Sequence, residues 1–209
     1  MPVPPGNAPP PAGDLPVRSA RSWESLATGC RACTACPELA ATRASVVVGH
    51  APPGAALVIV GEAPGAEEDR TGEPFVGRAG RLLDDLLAGV GLTRDRVALL
   101  NTLKCRPPGN RAPRGPELAA CRPWLQAQLD VLEPVVVCAL GLTAARWFLG
   151  PRLRLVDVRG RVLAHGGRQL VVSYHPSAAL RFGPAGAPRL LLAQDLALAA
   201  DAASSGPPA

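Results

Sequence analysis

A chain of 209 residues with 47% apolar content can bury one core of ordinary size, which points to one folded domain. Its formal charge of +5, carried mostly by arginine, suits a polyanionic partner. No apolar run is long enough to span a bilayer, and Met1-Pro2-Val3-Pro4-Pro5 has neither a basic n-region nor an apolar h-region. These features exclude membrane and secreted classes and predict a cytoplasmic protein without membrane partners. The six cysteines are then thiols, metal ligands or core residues rather than a disulfide framework. Aromatics make up only 3%, so Leu, Val and Ala must fill the core, and the few rings are candidates for specific tasks.

Residues 1–20 are Pro, Ala and Gly with almost no core-forming side chains, and a disordered tail is expected there and again over 204–209. A single domain is expected over 21–203. Ser22 can cap a short helix with an apolar face of Trp23 and Leu26. It leads into Gly29-Cys30-Arg31-Ala32-Cys33-Thr34-Ala35-Cys36-Pro37, and Val46 to Val48 reads as a short edge strand.

Leu57-Val58-Ile59-Val60-Gly61 is a continuous β-branched run, the pattern of a buried parallel strand. It breaks into an acidic loop punctuated by Gly and Pro, from Glu62 to Phe75. A helix is expected over Val76–Val90, a second buried strand over Val97–Asn101, and an irregular Pro-rich loop over Thr102–Pro113. Pro116–Leu132 reads as a helix with Pro116 in its first turn. Val135–Leu140 is a third strand and Thr143–Leu149 a short helix. Arg161–Ala164 and Leu170–Tyr174 form a strand pair about the Gly166-Gly167 turn, and a last helix runs over Arg189–Ala200. Alternating strands and helices imply an α/β fold with a parallel sheet covered on both faces.

In such a sheet the carboxyl ends of the strands share one edge, where ligands bind. Glu62, Asn101 and His175 each sit at such an end. Any one of them alone would be a solvated or structural polar group; the three together point to a site. Asn presents a donor and an acceptor and can read an amide-like edge. His can donate to an oxygen that gathers charge, and a carboxylate can orient water or face a developing cation. Phe75 offers a stacking face. The set suits a planar heterocycle that departs as an anion.

Cys33 and Cys36 form a metal-type C-x-x-C pair, with Cys105 and Cys121 as the other candidate ligands. Four cysteines without histidine fit zinc or an iron–sulfur cluster equally, and spacing does not choose. Cys30 extends the pattern and could replace Cys33. Cys138, inside an apolar strand, reads as a core thiol.

Gly61-Glu62-Ala63-Pro64-Gly65, Gly72-Glu73-Pro74-Phe75-Val76-Gly77-Arg78-Ala79-Gly80, Asn101-Thr102-Leu103-Lys104-Cys105-Arg106-Pro107-Pro108 and His175-Pro176-Ser177 resemble, in order, the motifs of the family 4 uracil-DNA glycosylases. The likeness extends from about Cys33 to Arg181. It implies a three-layer α/β/α sandwich around a mostly parallel four-stranded sheet. It also implies a [4Fe-4S] cluster on Cys33, Cys36, Cys105 and Cys121, with Cys30 as an extra cysteine, and excision of uracil from single- or double-stranded DNA by a monomer.

By resemblance, Glu62 and His175 are catalytic, the first beside the sugar and the second on O2 of the departing uracil. Phe75 stacks on the flipped base, Asn101 pairs with its O4 and N3–H, and Gly61 and Ala63 line its site. Glu68 is expected to crowd C5 and so exclude thymine. Arg106, Arg111, Leu180 and Arg181 are expected to meet DNA. A superfamily relative that is trapped on abasic sites carries Gln after the motif Glu and a nucleophilic His in a basic insertion. Here Ala63 follows Glu62, and no His lies between Asn101 and Glu117. A non-catalytic iron–sulfur DNA-binding protein would have no need of Glu62, Asn101 and His175 at converging strand ends.

Overall fold

The computed structural model describes residues 22–183 and 185–206. The tail expected over 1–20 lies outside the described residues, as do 207–209. The five strands are β1 (Leu57–Gly61), β2 (Val97–Asn101), β3 (Val136–Leu140), β4 (Val162–His165) and β5 (Arg168–Ser173). The eight α-helices among the described residues are α1 (Trp23–Arg31), α2 (Pro37–Thr42), α3 (Ala66–Thr71), α4 (Arg78–Ala88), α5 (Gly115–Leu132), α6 (Gly141–Leu149), α7 (Pro176–Phe182) and α8 (Ala187–Ser204).

The sheet order is β2-β1-β3-β5-β4, parallel throughout except for the antiparallel β4–β5 pair. The sheet therefore has five strands rather than the expected four, because the hairpin adds β4 at the edge. Gly166 and Gly167, both at positive φ, make the hairpin's turn.

β1, β2 and β3 are buried at every position, as their unbroken apolar runs require. Val58, Val60, Leu100 and Val137 pack against Leu125 and Leu129 of α5 and Ala144, Ala145 and Trp147 of α6. The alternate residues Ile59, Leu99, Cys138 and Val171 pack against Leu83 and Leu87 of α4 and Leu192 and Leu196 of α8. This alternation is what makes the molecule a three-layer α/β/α sandwich. Cys138 is a core thiol, as expected, and burial pushes its pKa far up.

Four segments differ from expectation. Val46–Val48 is not a strand; only His50 bridges to Leu99, while the Val47 amide donates to the Lys104 carbonyl. The acidic loop contains α3, which is possible because the Glu68 side chain accepts from the Gly65 amide at the helix start and Gly72 ends it at φ 78°. His175 caps α7, with Pro176 preset for its first turn. The last helix runs on to Ser204, past the expected Ala200. No helix among the described residues is long and apolar enough to cross a membrane.

Candidate active site

In the parallel register Gly61 lies opposite Asn101, and Leu140 lies opposite Ser173. The residues that follow these strand ends open onto one edge. There Glu62, Phe75, Asn101 and His175 line a single cleft of about 360 Å³, as the strand pattern predicts.

Glu62 is tied to the β2 exit through its main chain. Its carbonyl accepts from the Thr102 hydroxyl at 2.5 Å and from the Leu103 amide at 3.0 Å. Its side chain is held separately: Oε2 accepts from the Thr143 hydroxyl at 2.5 Å. Oε1 has no hydrogen-bond partner among the described residues, so one oxygen is anchored and the other is available to the cleft. Sequence reading missed Thr143. It stands in the first turn of α6, immediately after β3, the one parallel strand whose exit carries no strongly polar residue.

Asn101 is only 4% exposed, yet its side-chain amide has no hydrogen-bond partner among the described residues. Its main-chain carbonyl accepts from the Lys104 ammonium at 2.7 Å. Gly61 is the reason Asn101 and Phe75 fit here. A Cβ on Gly61 would lie 2.5 Å from Asn101 Oδ1 and 2.6 Å from Phe75 Cζ. The Phe75 ring is buried, nearly parallel to the His175 imidazole at 28°, with 6.3 Å between centroids.

Nδ1 of His175 accepts from the Ser177 amide at 3.2 Å and lies 2.8 Å from the Ser177 hydroxyl. That cap assigns the ring proton to Nε2, leaving it free to donate. Burial pushes the imidazole pKa down to about 4 against an opposing pull from the Glu68 carboxylate, so the ring is neutral at neutral pH. Gly141, at φ 86°, allows the start of α6 to approach: a Cβ there would lie 3.1 Å from His175 Cβ.

The remaining expected site residues divide. Ala63 lines the cleft. Glu68 lines it too, but its carboxylate accepts from the main-chain amides of Gly65 (3.0 Å), Val76 (3.0 Å) and Gly77 (2.8 Å). Its first task is therefore to close the loop that carries Phe75. Arg111, expected on DNA, lines the cleft and pairs with Glu117 at 2.9 and 2.5 Å and with Glu38 at 3.3 Å, and the pairing with Glu117 raises its pKa. Arg106 donates to Asn110 Oδ1 at 2.7 Å and is half-buried. On α7, Arg181 is exposed and Leu180 half-buried.

None of the six cysteines forms a disulfide. Among the described residues no three or more His, Cys, Asp or Glu side chains are grouped as they would be around a metal ion. Cys30, Cys33, Cys36, Cys105 and Cys121 nevertheless line one narrow cavity. Its other polar side chains are donors. Arg43 donates to Cys105 Sγ at 3.1 Å, and the buried Trp124 indole N–H has no partner among the described residues. Lys104, the only lysine in the sequence, lines it at 1% exposure; burial lowers its pKa against the pull of Cys121, Cys30 and Cys105.

The family model of the uracil DNA glycosylase superfamily matches residues 48–196. The type-4 uracil-DNA glycosylase of Thermotoga maritima is 47% identical over 151 residues, covering 71% of this chain and 78% of its own. That of Saccharolobus solfataricus is 35% identical over 191 residues, with 87% of each chain covered. The type-5 uracil-DNA glycosylase of Thermus thermophilus is 35% identical over 182 residues, covering 70% of this chain and 83% of its own. With a family match over most of the folded chain and the strand-end cleft in place, the chain belongs to the uracil-DNA glycosylase superfamily and sides with its type-4 members.

Proposed function

We propose that the chain hydrolyses the N-glycosidic bond of deoxyuridine in DNA, releasing uracil and leaving an abasic site. The observation that carries this reading is the meeting of three unlike groups around one cleft beside Phe75. They are a half-anchored carboxylate, an amide without a partner among the described residues and a neutral imidazole whose Nε2–H is likewise unpartnered there.

The extruded uracil stacks on Phe75, and the Asn101 amide pairs with its O4 and N3–H. As the C1′–N1 bond breaks, its electron pair passes to the uracil ring, and O2 gathers charge. The Nε2–H of His175 donates to that oxygen. A neutral imidazole suits the task because it stabilises the anion without having to be deprotonated first. Glu62 Oε1 faces the cationic sugar and orients the water whose oxygen bonds to C1′. The proton the water loses balances the one that uracil regains.

No lyase step is expected from a lysine, since the only lysine side chain is buried and donates to the Asn101 main-chain carbonyl. Glu68, immobilised by three amides, suits a rigid wall against the methyl of thymine. Arg106, Leu180 and Arg181 are proposed to meet the DNA, with Arg111 bracing the loop rather than gripping phosphate.

We also propose that Cys33, Cys36, Cys105 and Cys121 hold a [4Fe-4S] cluster. A cluster spreads its thiolate ligands over several irons, so cysteines that line a cavity without converging on one point suit it better than a single ion. The donors fit the same group. An unpartnered indole N–H, a buried ammonium and a guanidinium would face its sulfurs and its negative charge. When bound, the cluster supplies negative charge and a cross-link rather than reaction chemistry.

Incubation with a uracil-containing oligonucleotide followed by alkaline cleavage tests the activity, with a thymine oligonucleotide as control. Cleavage at uracil alone is expected, with His175→Ala reducing kcat on the order of 10²- to 10³-fold, as for loss of one oxyanion donor. An intact uracil strand, or full activity in His175→Ala and Asn101→Ala, would overturn the reading.

A further inference from the structure

We infer that Arg94 is a positioning residue for base recognition, holding the Phe75 ring in place through the main chain. The inference rests on the reading of Phe75 as the ring that stacks on uracil. Phe75 has φ 55°, a left-handed conformation that a bulky side chain disfavours. Such a residue persists only where its surroundings over-determine it, and it is commonly found where function needs the strain.

The surroundings here are specific. Arg94, between α4 and β2, directs its planar fork at three acceptors. Nε donates to Asp84 Oδ1 at 2.8 Å, Nη1 to the Pro74 carbonyl at 3.0 Å, and Nη2 to the Phe75 carbonyl. From the other side α4 presses its backbone against the same peptide: a Cβ on Gly80 would lie 1.7 Å from the Phe75 oxygen. The Arg94 carbonyl lies 3.0 Å from His50 Nε2, which fixes the base of the clamp. The Phe75 backbone thus lies between a guanidinium and a bare helix turn, and its ring can only project toward Gly61 and the cleft.

Arg94 is not among the residues lining the cleft, so it can reach the base only through Phe75. Its ion pair with Asp84 is about one-third exposed, 31% and 39% for the two side chains, and such pairs add little to stability. What distinguishes Arg94 is the grip on two successive carbonyls. A lysine, with one compact ammonium, cannot span three acceptors.

The test is inhibition of the wild-type chain, Arg94→Ala, Arg94→Lys and Asp84→Asn by free uracil, beside steady-state kinetics on a uracil-containing oligonucleotide. Arg94→Ala is expected to weaken inhibition by free uracil by up to the roughly 5- to 150-fold that loss of one base–aromatic stack represents. KM should rise more than kcat falls, because stacking holds the base before and during bond breaking. Arg94→Lys should fall between, and Asp84→Asn, which keeps the guanidinium and an acceptor for Nε but loses the acceptor's charge, should show the smallest shift in the same direction. If Arg94→Ala does not fold, the lysine and asparagine variants decide. Inhibition constants equal to wild type in variants that differ only in melting temperature would overturn the inference. A wild-type chain that neither excises uracil nor is inhibited by it would overturn the reading of the site itself.

Discussion

Glu62 presents one carboxylate oxygen to the cleft and gives the other to Thr143. A hydrogen bond to a charged group contributes more than one between neutral partners, so loss of the hydroxyl should free the carboxylate to rotate away from the water it is proposed to hold. Thr143→Val is expected to lower kcat by about 10- to 150-fold, the range set by such a bond, with KM little changed, while Thr143→Ser keeps the activity. Steady-state kinetics on a uracil oligonucleotide checks both variants.

His175 sets a pH window. Its ordinary pKa of 6.5 is pushed down to about 4 by burial, so above pH 6.5 folded and unfolded chains both carry it neutral. Between 6.5 and about 4 the unfolded chain takes up a proton that the folded chain refuses. Stability therefore falls as pH drops through that window, by at most ~3 kcal/mol from this group. Denaturation from pH 7 to pH 4 should show a smaller loss in His175→Gln than in wild type, and the His175 imidazole resonances should stay those of a neutral ring at pH 5.5.

Elements meet in this site at distances that only glycine permits. β1 ends in Gly61 so that Asn101 and Phe75 can share its flank, and α4 places Gly80 under the Phe75 peptide. The turn from β3 into α6 does two tasks at once: Gly141 lets His175 approach and Thr143 holds Glu62. Gly61→Ala would put a methyl carbon where Asn101 Oδ1 and Phe75 Cζ lie 2.5 and 2.6 Å away. Overpacking of this kind costs roughly 1–3 kcal/mol, and here the side chains that must shift are those proposed to bind the base. The variant should fold with a lowered denaturation midpoint and lose most of its activity, which urea titration and kinetics would show together.

Across the whole molecule the sheet carries the site on one edge, and the cysteine cavity joins distant parts of the chain. Cys33 and Cys36 come from the segment between α1 and α2, Cys105 from the loop after β2, and Cys121 from α5. Lys104 lies between the two regions, lining the cysteine cavity while its ammonium holds the Asn101 carbonyl. Loss of a ligand of the proposed cluster should therefore loosen the fold before it alters the pocket chemistry. On that proposal Cys105→Ala is expected to lose the brown colour and iron of the loaded protein and to melt several degrees lower, as visible absorption, iron content and calorimetry would record.

What the sequence determined by itself was whatever depends on local pattern. Apolar runs marked β1, β2, β3 and β5, and the ends of β1, β2 and β5 placed Glu62, Asn101 and His175 on a common edge. Strand direction and alternation are enough for that inference, because a parallel sheet aligns its carboxyl ends. Tertiary structure alone decided the partners. Thr143 reaches Glu62 across 81 residues, Arg111 turns to Glu117 and Glu38 instead of outward, and Arg94 closes on Pro74 and Phe75. It also turned a loop into α3 by giving the Glu68 carboxylate three amides. A hydroxyl, a guanidinium or a carboxylate has the same propensities wherever it stands in the chain. Its role is set by which acceptors and donors folding brings within 3 Å, and that depends on the packing of segments far apart in sequence.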